Sequence, residues 1–202
     1  MLAFDEVLRN DNSNVEEAFN IETNEINQWN HVSANLQIEQ SFGKSHSLIF
    51  DYNHLYYKDD NPSDYQIDSQ MAGGFIEIRK RTPITFNVYN LDYRGKISEQ
   101  LQLEAGIKST SSNFNNNIVV SSNIQDQTFV DNGLSNSTVM KEQIRAIYAS
   151  LQWKLSGKTN LTSGLRFEDT NNELEVGSEP NCITRKYGNL FPTASITHQL
   201  KD

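Results

Sequence analysis

The sequence predicts an all-β fold, namely an antiparallel transmembrane β-barrel segment built as an up-and-down meander of about seven or eight strands. Side chains alternate between apolar and polar over several stretches of about ten residues, as a barrel wall with lipid on one side requires. The connections between these stretches alternate between short and long. Only 36% of the residues are hydrophobic, and the mean hydropathy is -0.62. That composition suits a barrel, in which one face of each strand must be apolar.

The clearest pair of strands lies between residues 142 and 169 and is joined by the turn Ser156-Gly157-Lys158. In the first strand the apolar residues share one parity: Ile147, Ala149, Leu151, Trp153 and Leu155. The other parity holds Tyr148, Ser150, Gln152 and Lys154. In the second strand, Leu161, Leu165 and Phe167 oppose Asn160, Thr162, Gly164, Arg166 and Glu168. This period of two predicts β-strands and not helices.

Two strands are predicted upstream, over residues 29–42 and 46–57, with a turn at Gly43-Lys44-Ser45 between them. Their apolar faces hold Val32, Ala34, Leu36, Ile38 and Phe42, then Leu48, Phe50, Tyr52 and Tyr56. The same alternation predicts strands over residues 84–93, 100–110 and 191–200, which brings the number to seven. Residues 1–28 are assigned as an uncertain N-terminal strand or loop remnant, and residues 29–202 as the barrel segment.

The connections indicate how the wall is oriented. Those at Gly43, Gly95 and Gly157 are short, whereas those over residues 58–82, 111–141 and 170–186 are long. Outer-membrane barrels place short turns in the periplasm and long loops outside the cell. The long links are rich in Asn, Ser, Asp and Gln and are expected to be irregular, because they can bury little apolar surface. Ligand contacts are expected from residues 58–82 and 111–141, since binding residues are often carried on loops.

The charge of the chain disfavours nucleic acid as a partner. Seventeen basic and 26 acidic residues give a net charge of -9, which repels a phosphate backbone.

Nothing in the sequence predicts catalytic, cofactor-binding or metal-binding residues, and the chain is not expected to be an enzyme. The four histidines lie on different predicted strands without the spacing of a metal site: His31, His46, His54 and His198. The run Asp59-Asp60-Asn61 with Asp64 lacks the glycine and the closing glutamate of an EF-hand loop. Ser47 and Ser163 lie outside any G-x-S-x-G motif. The inward charges of Arg166, Glu168, Glu104 and Lys108 are interpreted as a ladder of ion pairs that fixes the strand register.

Four short motifs, in order, carry a resemblance to a known family. They are Leu91-Asp92-Tyr93 with LEAGIK at 103–108, EQIRAIYASL at 142–151, LTSGLRFE at 161–168 and YGNLFPTAS at 187–195. Together they resemble the outer-membrane β-barrel region of TonB-dependent receptors from the Bacteroidetes. The resemblance covers the chain from about Trp29 to its end.

The resemblance implies a 22-stranded barrel in the bacterial outer membrane that is closed by a plug domain. Such a receptor imports a scarce solute with energy from the TonB complex. The implied partners are outer-membrane lipid, the plug domain and missing strands, the TonB complex and a small solute that the sequence does not identify. No position here matches a plug or a TonB box, so the chain is expected to be a segment of the barrel wall.

Two alternatives remain open from the sequence. One is a self-contained small outer-membrane barrel with a structural role, which requires the N-terminal stretch to supply an eighth strand. The other is a soluble surface β-sandwich for adhesion or binding, in which two apolar faces pack against each other.

Overall fold

The computed structural model describes residues 2–9, 15–69, 74–124, 127–177 and 179–200. These residues form ten β-strands. The strands are β1 (Leu2–Arg9), β2 (Val15–Glu25), β3 (Gln28–Phe42), β4 (His46–Ser69), β5 (Gly74–Lys96), β6 (Leu101–Ile124), β7 (Gln127–Val130), β8 (Asn136–Ser156), β9 (Thr159–Val176) and β10 (Glu179–His198). No helix long and apolar enough to cross a membrane occurs in the described part of the chain.

All ten strands belong to one antiparallel sheet, which confirms the predicted meander. The long strand β4 pairs with β5 on one side and with β2 and then β3 on the other. Likewise, β6 pairs with β5 on one side and with β7 and then β8 on the other. β2 and β3 thus pair with successive parts of the same edge of β4, and β7 and β8 pair with successive parts of the same edge of β6. Each of these two pairs occupies one strand position in the sheet.

The strand register places the apolar residues of the predicted alternation on one face. A single row of cross-strand partners is apolar from β3 to β10: Ile38, Phe50, Leu91, Ile107, Ile147, Phe167 and Leu190. Register in a half-buried sheet is set by this pattern, because a slip of one residue would move every apolar side chain to the other face. We call this set the outer apolar row.

The apolar band crosses the sheet diagonally. On β3 it extends from Ile38 away from the short turns to Val32, whereas on β10 it extends from Leu190 towards the short turns to Ile196. Ile38 and Leu190 belong to the same register row. A band that stays level with a membrane while it drifts across the rows requires strands tilted to the membrane normal, as barrel closure also does.

Burial shows which face is concave. Among the described residues, the buried side chains apart from Ser121 lie on the face opposite the outer apolar row: Ile49, Asp59, Ser63, Thr82, Val120, Ala146 and Thr170. By contrast, Ile107 is 53% exposed, Ile147 60% and Leu190 59%. Side chains converge on the concave side of a curved sheet and diverge on the convex side. The apolar face is therefore convex, and no described element packs on it, which contradicts the β-sandwich alternative.

The expected conformation of the long links is corrected by the structure. Most of residues 58–82, 111–141 and 170–186 extend the strands: β4 continues to Ser69, β5 begins at Gly74 and β6 reaches Ile124. The prediction of irregular loops assumed that polar segments need an apolar face to become ordered. Here the backbone hydrogen bonds between strands continue beyond the apolar part of each strand. Where both faces of the sheet contact water, the side chains need not alternate between apolar and polar.

The short turns at Gly43 and Gly157 occur where the sequence predicted them, whereas the third lies at residues 97–100, because Gly95 still pairs with its neighbours within β5. Gly43 adopts a φ of 67°, in the left-handed region that glycine enters without steric cost. The uncertain N-terminal stretch contains β1 and β2, which pair with each other.

Candidate functional site

The concave face is the candidate functional site, because a barrel of this curvature would enclose it. Its central row runs across the sheet through the register partners Ile49, Asp92, Gly106, Tyr148, Arg166 and Phe191. Side chains of this row come from alternate positions of strands whose other face is apolar. The pleat of each strand therefore separates the two environments.

A hydrogen-bonded polar cluster lies in the middle of this row. The hydroxyl of Tyr148 on β8 donates to Oδ1 of Asp92 on β5, across the intervening strand β6. Gly106 lies between them, and a Cβ added there would be 2.6 Å from Asp92 Oδ1 and 2.7 Å from Tyr148 Cζ. The absence of a side chain at Gly106 is thus what allows the two side chains to meet.

Arg166 extends the cluster from the far side of Tyr148. Its Cζ lies 5.4 Å from the centroid of the Tyr148 ring, within the range of a cation–π contact. Its Nε donates to Glu168 Oε1 at 2.5 Å, so the predicted Arg166 and Glu168 ion pair forms. Glu104 pairs with Arg94 at 3.6 Å rather than with Lys108. These contacts can fix register and line a polar interior.

A second row of the concave face is apolar, and the sequence alone did not predict it. The register partners are Tyr57, Ile84, Phe114, Met140, Leu174 and Ile183, one from each of six neighbouring strands. His31 on β3 continues the row by stacking on Tyr57, with ring centroids 5.9 Å apart. We call these residues the inner apolar row. Tyr57 is seven residues beyond Phe50, which is about 23 Å along a strand in the direction of the long links.

A charged cluster lies near the inner apolar row, on the convex face of β4 and β5. Oδ2 of Asp60 is 3.1 Å from Lys58 Nζ and 3.4 Å from Arg81 Nη2. The hydrogen bond from Lys58, with a smaller contribution from the charge of Arg81, holds the pKa of the Asp60 carboxyl below its usual range. Asp59 points to the other face and accepts a hydrogen bond from Asn61. The acidic run therefore does not converge on one point.

The histidines and serines considered in the sequence occupy separate places. Nδ1 of His46 is 2.8 Å from the Tyr93 hydroxyl, Nδ1 of His54 is 2.9 Å from Asn87 Oδ1, and Nδ1 of His198 is 2.8 Å from Thr159 Oγ1. Within the described ranges, no cluster of three or more His, Cys, Asp or Glu could hold a metal ion. Three strands separate Ser163 from His46 along one register row.

Comparison with known proteins places this geometry in a family context. The sequence matches the outer membrane protein beta-barrel family over residues 40–202. None of the curated proteins matches the chain in sequence.

Two solved structures are similar to the chain. The ferric yersiniabactin uptake receptor FyuA from Yersinia pestis has 12% identity and a TM-score of 0.49, over 99% of this chain and 39% of that one. The ferric citrate transporter FecA in the unliganded form has 12% identity and a TM-score of 0.44, over 92% of this chain and 34% of that one. The chain thus spans less than half the length of either protein.

Proposed function

Since this chain belongs to the outer membrane protein beta-barrel family and lies in the outer membrane, we propose that it forms part of the wall of a TonB-dependent receptor that imports a scarce solute. In this proposal residues 29–202 are wall. The plug domain, the remaining strands, the TonB complex and the solute are its partners. The chain has no enzymatic role.

The observation that carries the proposal is the direction of the two free edges of the sheet. In the described part of the chain, β3 pairs only with β4, and β10 pairs only with β9. Both edge strands run towards the short turns. β3 ends at the turn containing Gly43. The backbone N–H of Gln199, just after β10, donates to the carbonyl of Lys158 in the turn between β8 and β9. Direct pairing of β3 with β10 would therefore be parallel.

An antiparallel barrel needs an even number of strands, and bacterial single-chain barrels have one. The places occupied by β3, β4, β5, β6, β8, β9 and β10 number seven. β1 does not supply an eighth beside β3, because its partners are residues 15–23 of β2. Unpaired edges are not tolerated in hydrocarbon, so further strands must lie between β10 and β3. This supports a segment of a larger wall over a self-contained small barrel.

Strand length also favours a receptor. β4 has 24 residues and β6 has 24, whereas about 9–11 residues suffice to cross a membrane. The excess lies on the side of the long links, and it builds a tall wall around a space outside the membrane. The inner apolar row faces that space. A receptor that must hold a dilute solute before import would use such a vestibule.

The experiment that tests this proposal is purification of the protein from the outer membrane of its native source, followed by a binding assay with the periplasmic domain of TonB. We expect a complex larger than the 23.0 kDa of this chain, with heat-modifiable gel mobility and saturable binding of the TonB domain. A 23.0 kDa monomer that resists protease and does not bind the TonB domain would support the small barrel instead.

A further inference from the structure

The inner apolar row is bordered, on the side of the long links, by a polar row of the same concave face. Trp29 and Asp59 are direct cross-strand partners, and Asp59 is also paired with Thr82 on the next strand. The hydroxyl of Thr82 donates to Asn116 Oδ1 at 2.9 Å, which continues the row onto β6. We call Trp29, Asp59, Thr82 and Asn116 the inner polar row. It lies two residues beyond the inner apolar row along each strand, which is about 7 Å.

Trp29 supplies an open aromatic surface at one end of the inner polar row. It is 68% exposed, and its pairing with Asp59 places it on the concave face. His31 and Tyr57, its neighbours in the inner apolar row, stack on each other with ring planes 22° apart. A further strand beside β3 would pair with the backbone edge and would leave the concave face open. Three aromatic side chains thus occupy adjacent positions on this face.

Hydrogen-bond acceptors without donors lie beside these rings. Asp59 is 8% exposed, and its Oδ2 accepts from Asn61 Nδ2 at 2.9 Å, whereas its Oδ1 has no donor in the described part of the chain. The Oδ1 of Asn61, two residues along on the same face, also lacks a donor there. A buried acceptor without a donor is costly, so a ligand that brings donors is favoured. Asn61 is only half-buried, and its amide can turn towards such a ligand.

The concave face carries little net charge at this level. Among its described side chains at or beyond the inner apolar row, the Asp, Glu, Lys and Arg residues are Glu25, Asp59 and Lys80. Two acids and one base do not form the cluster of cations that recognition of a multiply charged anion uses. The site therefore favours a neutral ligand.

A carbohydrate matches both rows. The ring of a sugar presents C–H groups on its faces and hydroxyl groups around its edge. The faces can stack on Trp29 and lie against the inner apolar row, while the hydroxyl groups donate to oxygens of Asp59 and Asn61. A wholly apolar solute would use only the inner apolar row and leave these acceptors without donors. Six neighbouring strands span about 24 Å, which accommodates several sugar units in line.

We propose that the wall binds a neutral oligosaccharide across the inner apolar row and the inner polar row. Trp29 stacks on one sugar ring, and Asp59 accepts hydrogen bonds from the hydroxyl groups. The inference rests on the proposed import function, for which it names the class of solute. Binding itself requires only the concave face and can be measured separately from the TonB complex.

An array of neutral and acidic oligosaccharides, probed with the whole protein from its native outer membrane in detergent, tests the proposal. We expect binding to neutral oligosaccharides in preference to acidic ones. Isothermal titration calorimetry with the neutral oligosaccharide that binds most strongly then compares variants. Trp29→Ala should weaken binding roughly tenfold through loss of the stacking surface. Asp59→Asn should weaken it roughly fivefold, because a carboxylate is a stronger acceptor than an amide.

Two matched controls change the same residue types on the convex face. Trp153→Ala removes the other tryptophan of the chain, and Asp60→Asn changes the acid next to Asp59. Neither should alter binding, and heat-modifiable gel mobility shows that each variant is folded. The proposal is overturned by absence of binding to every neutral oligosaccharide, by a preference for acidic ones, or by unchanged binding in Trp29→Ala and Asp59→Asn.

The binding assay with the periplasmic domain of TonB separates this proposal from the import function. Binding of the TonB domain without binding of any oligosaccharide would overturn the class of solute and leave the receptor function supported. Oligosaccharide binding that depends on Trp29, in a protein that does not bind the TonB domain, would support the site and overturn import.

Discussion

Tyr148 donates its phenolic hydrogen to Asp92 across a whole intervening strand, and this contact connects β8 to β5 over the backbone of Gly106. Ordinary cross-strand pairs join neighbouring strands only. A contact that spans three strands fixes their register together. The middle of the concave face is therefore held together by a specific polar contact.

Gly106→Ala is expected to destabilise the wall. The new methyl group would clash with Asp92 Oδ1 and the Tyr148 ring, and their hydrogen bond would have to open. Loss of that bond should cost about 1–3 kcal/mol. Urea unfolding in lipid vesicles measures the change. Gly157→Ala is the control, since nothing lies within 4 Å of its added Cβ; equal effects in the two variants would contradict the role of Gly106.

Tyr148→Phe tests the hydroxyl separately from the ring. The variant keeps the contact between the ring and Arg166 but leaves the Asp92 carboxylate without its donor. We expect a loss of about 1–3 kcal/mol in the free energy of unfolding. In a double-mutant cycle with Asp92→Ala, the two changes should be strongly non-additive. Additive effects would show that the two side chains do not interact.

Leu151→Lys places a charge on the convex face at the centre of the apolar band of β8, which runs from Ile147 to Leu155. If that face meets lipid, the substitution should lower the free energy of unfolding by about 2–4 kcal/mol near the midplane. Ser150→Lys, on the concave face of the same strand, should have a much smaller effect. The comparison uses urea unfolding in lipid vesicles, and a larger loss for the concave variant would reverse the assignment of the two faces.

Asp60 predicts a small dependence of stability on pH. Its pKa is lowered in the folded protein, so the stabilisation is complete above the unfolded pKa of about 3.9 and is lost as the pH falls through the lower folded value. The effect is small because the ion pair is partly exposed to solvent, which screens it. NMR titration of the Asp60 carboxyl should give a midpoint below that of the unfolded chain. Lys58→Met should raise the midpoint, and an unchanged midpoint would exclude Lys58 as the cause.

The sequence predicted the strands best where one face is apolar. The alternation from Leu101 to Ile107 and from Ile147 to Leu155 was sufficient to place those residues on the convex face. The conformation of the long links was predicted wrongly because their sequences do not alternate between apolar and polar residues. Their backbones nevertheless pair as regularly as the rest of the strands.

The inner apolar row could not be predicted from the sequence alone. Ile84 begins a predicted strand, whereas Met140 and Leu174 fall in links that were expected to be irregular. Their common position follows only from the register, which pairs Met140 with Phe114 on one side and with Leu174 on the other. The one local signal was on β5, where Phe86 and Ile84 are two residues apart and therefore lie on the same face of the strand. The bond between Tyr148 and Asp92 is equally dependent on register.

Alternate side chains along each strand meet lipid, and spin-label accessibility along β8 tests this arrangement most directly. Single cysteines at positions 147–152 of the whole protein, with Cys182 replaced by Ser, would be labelled in liposomes and exposed to lipid-soluble oxygen and to a water-soluble nickel chelate. The account predicts a period of two, with high oxygen accessibility at 147, 149 and 151 and low values between them. Protection of positions 147, 149 and 151 from both reagents, as in a protein core, would contradict it.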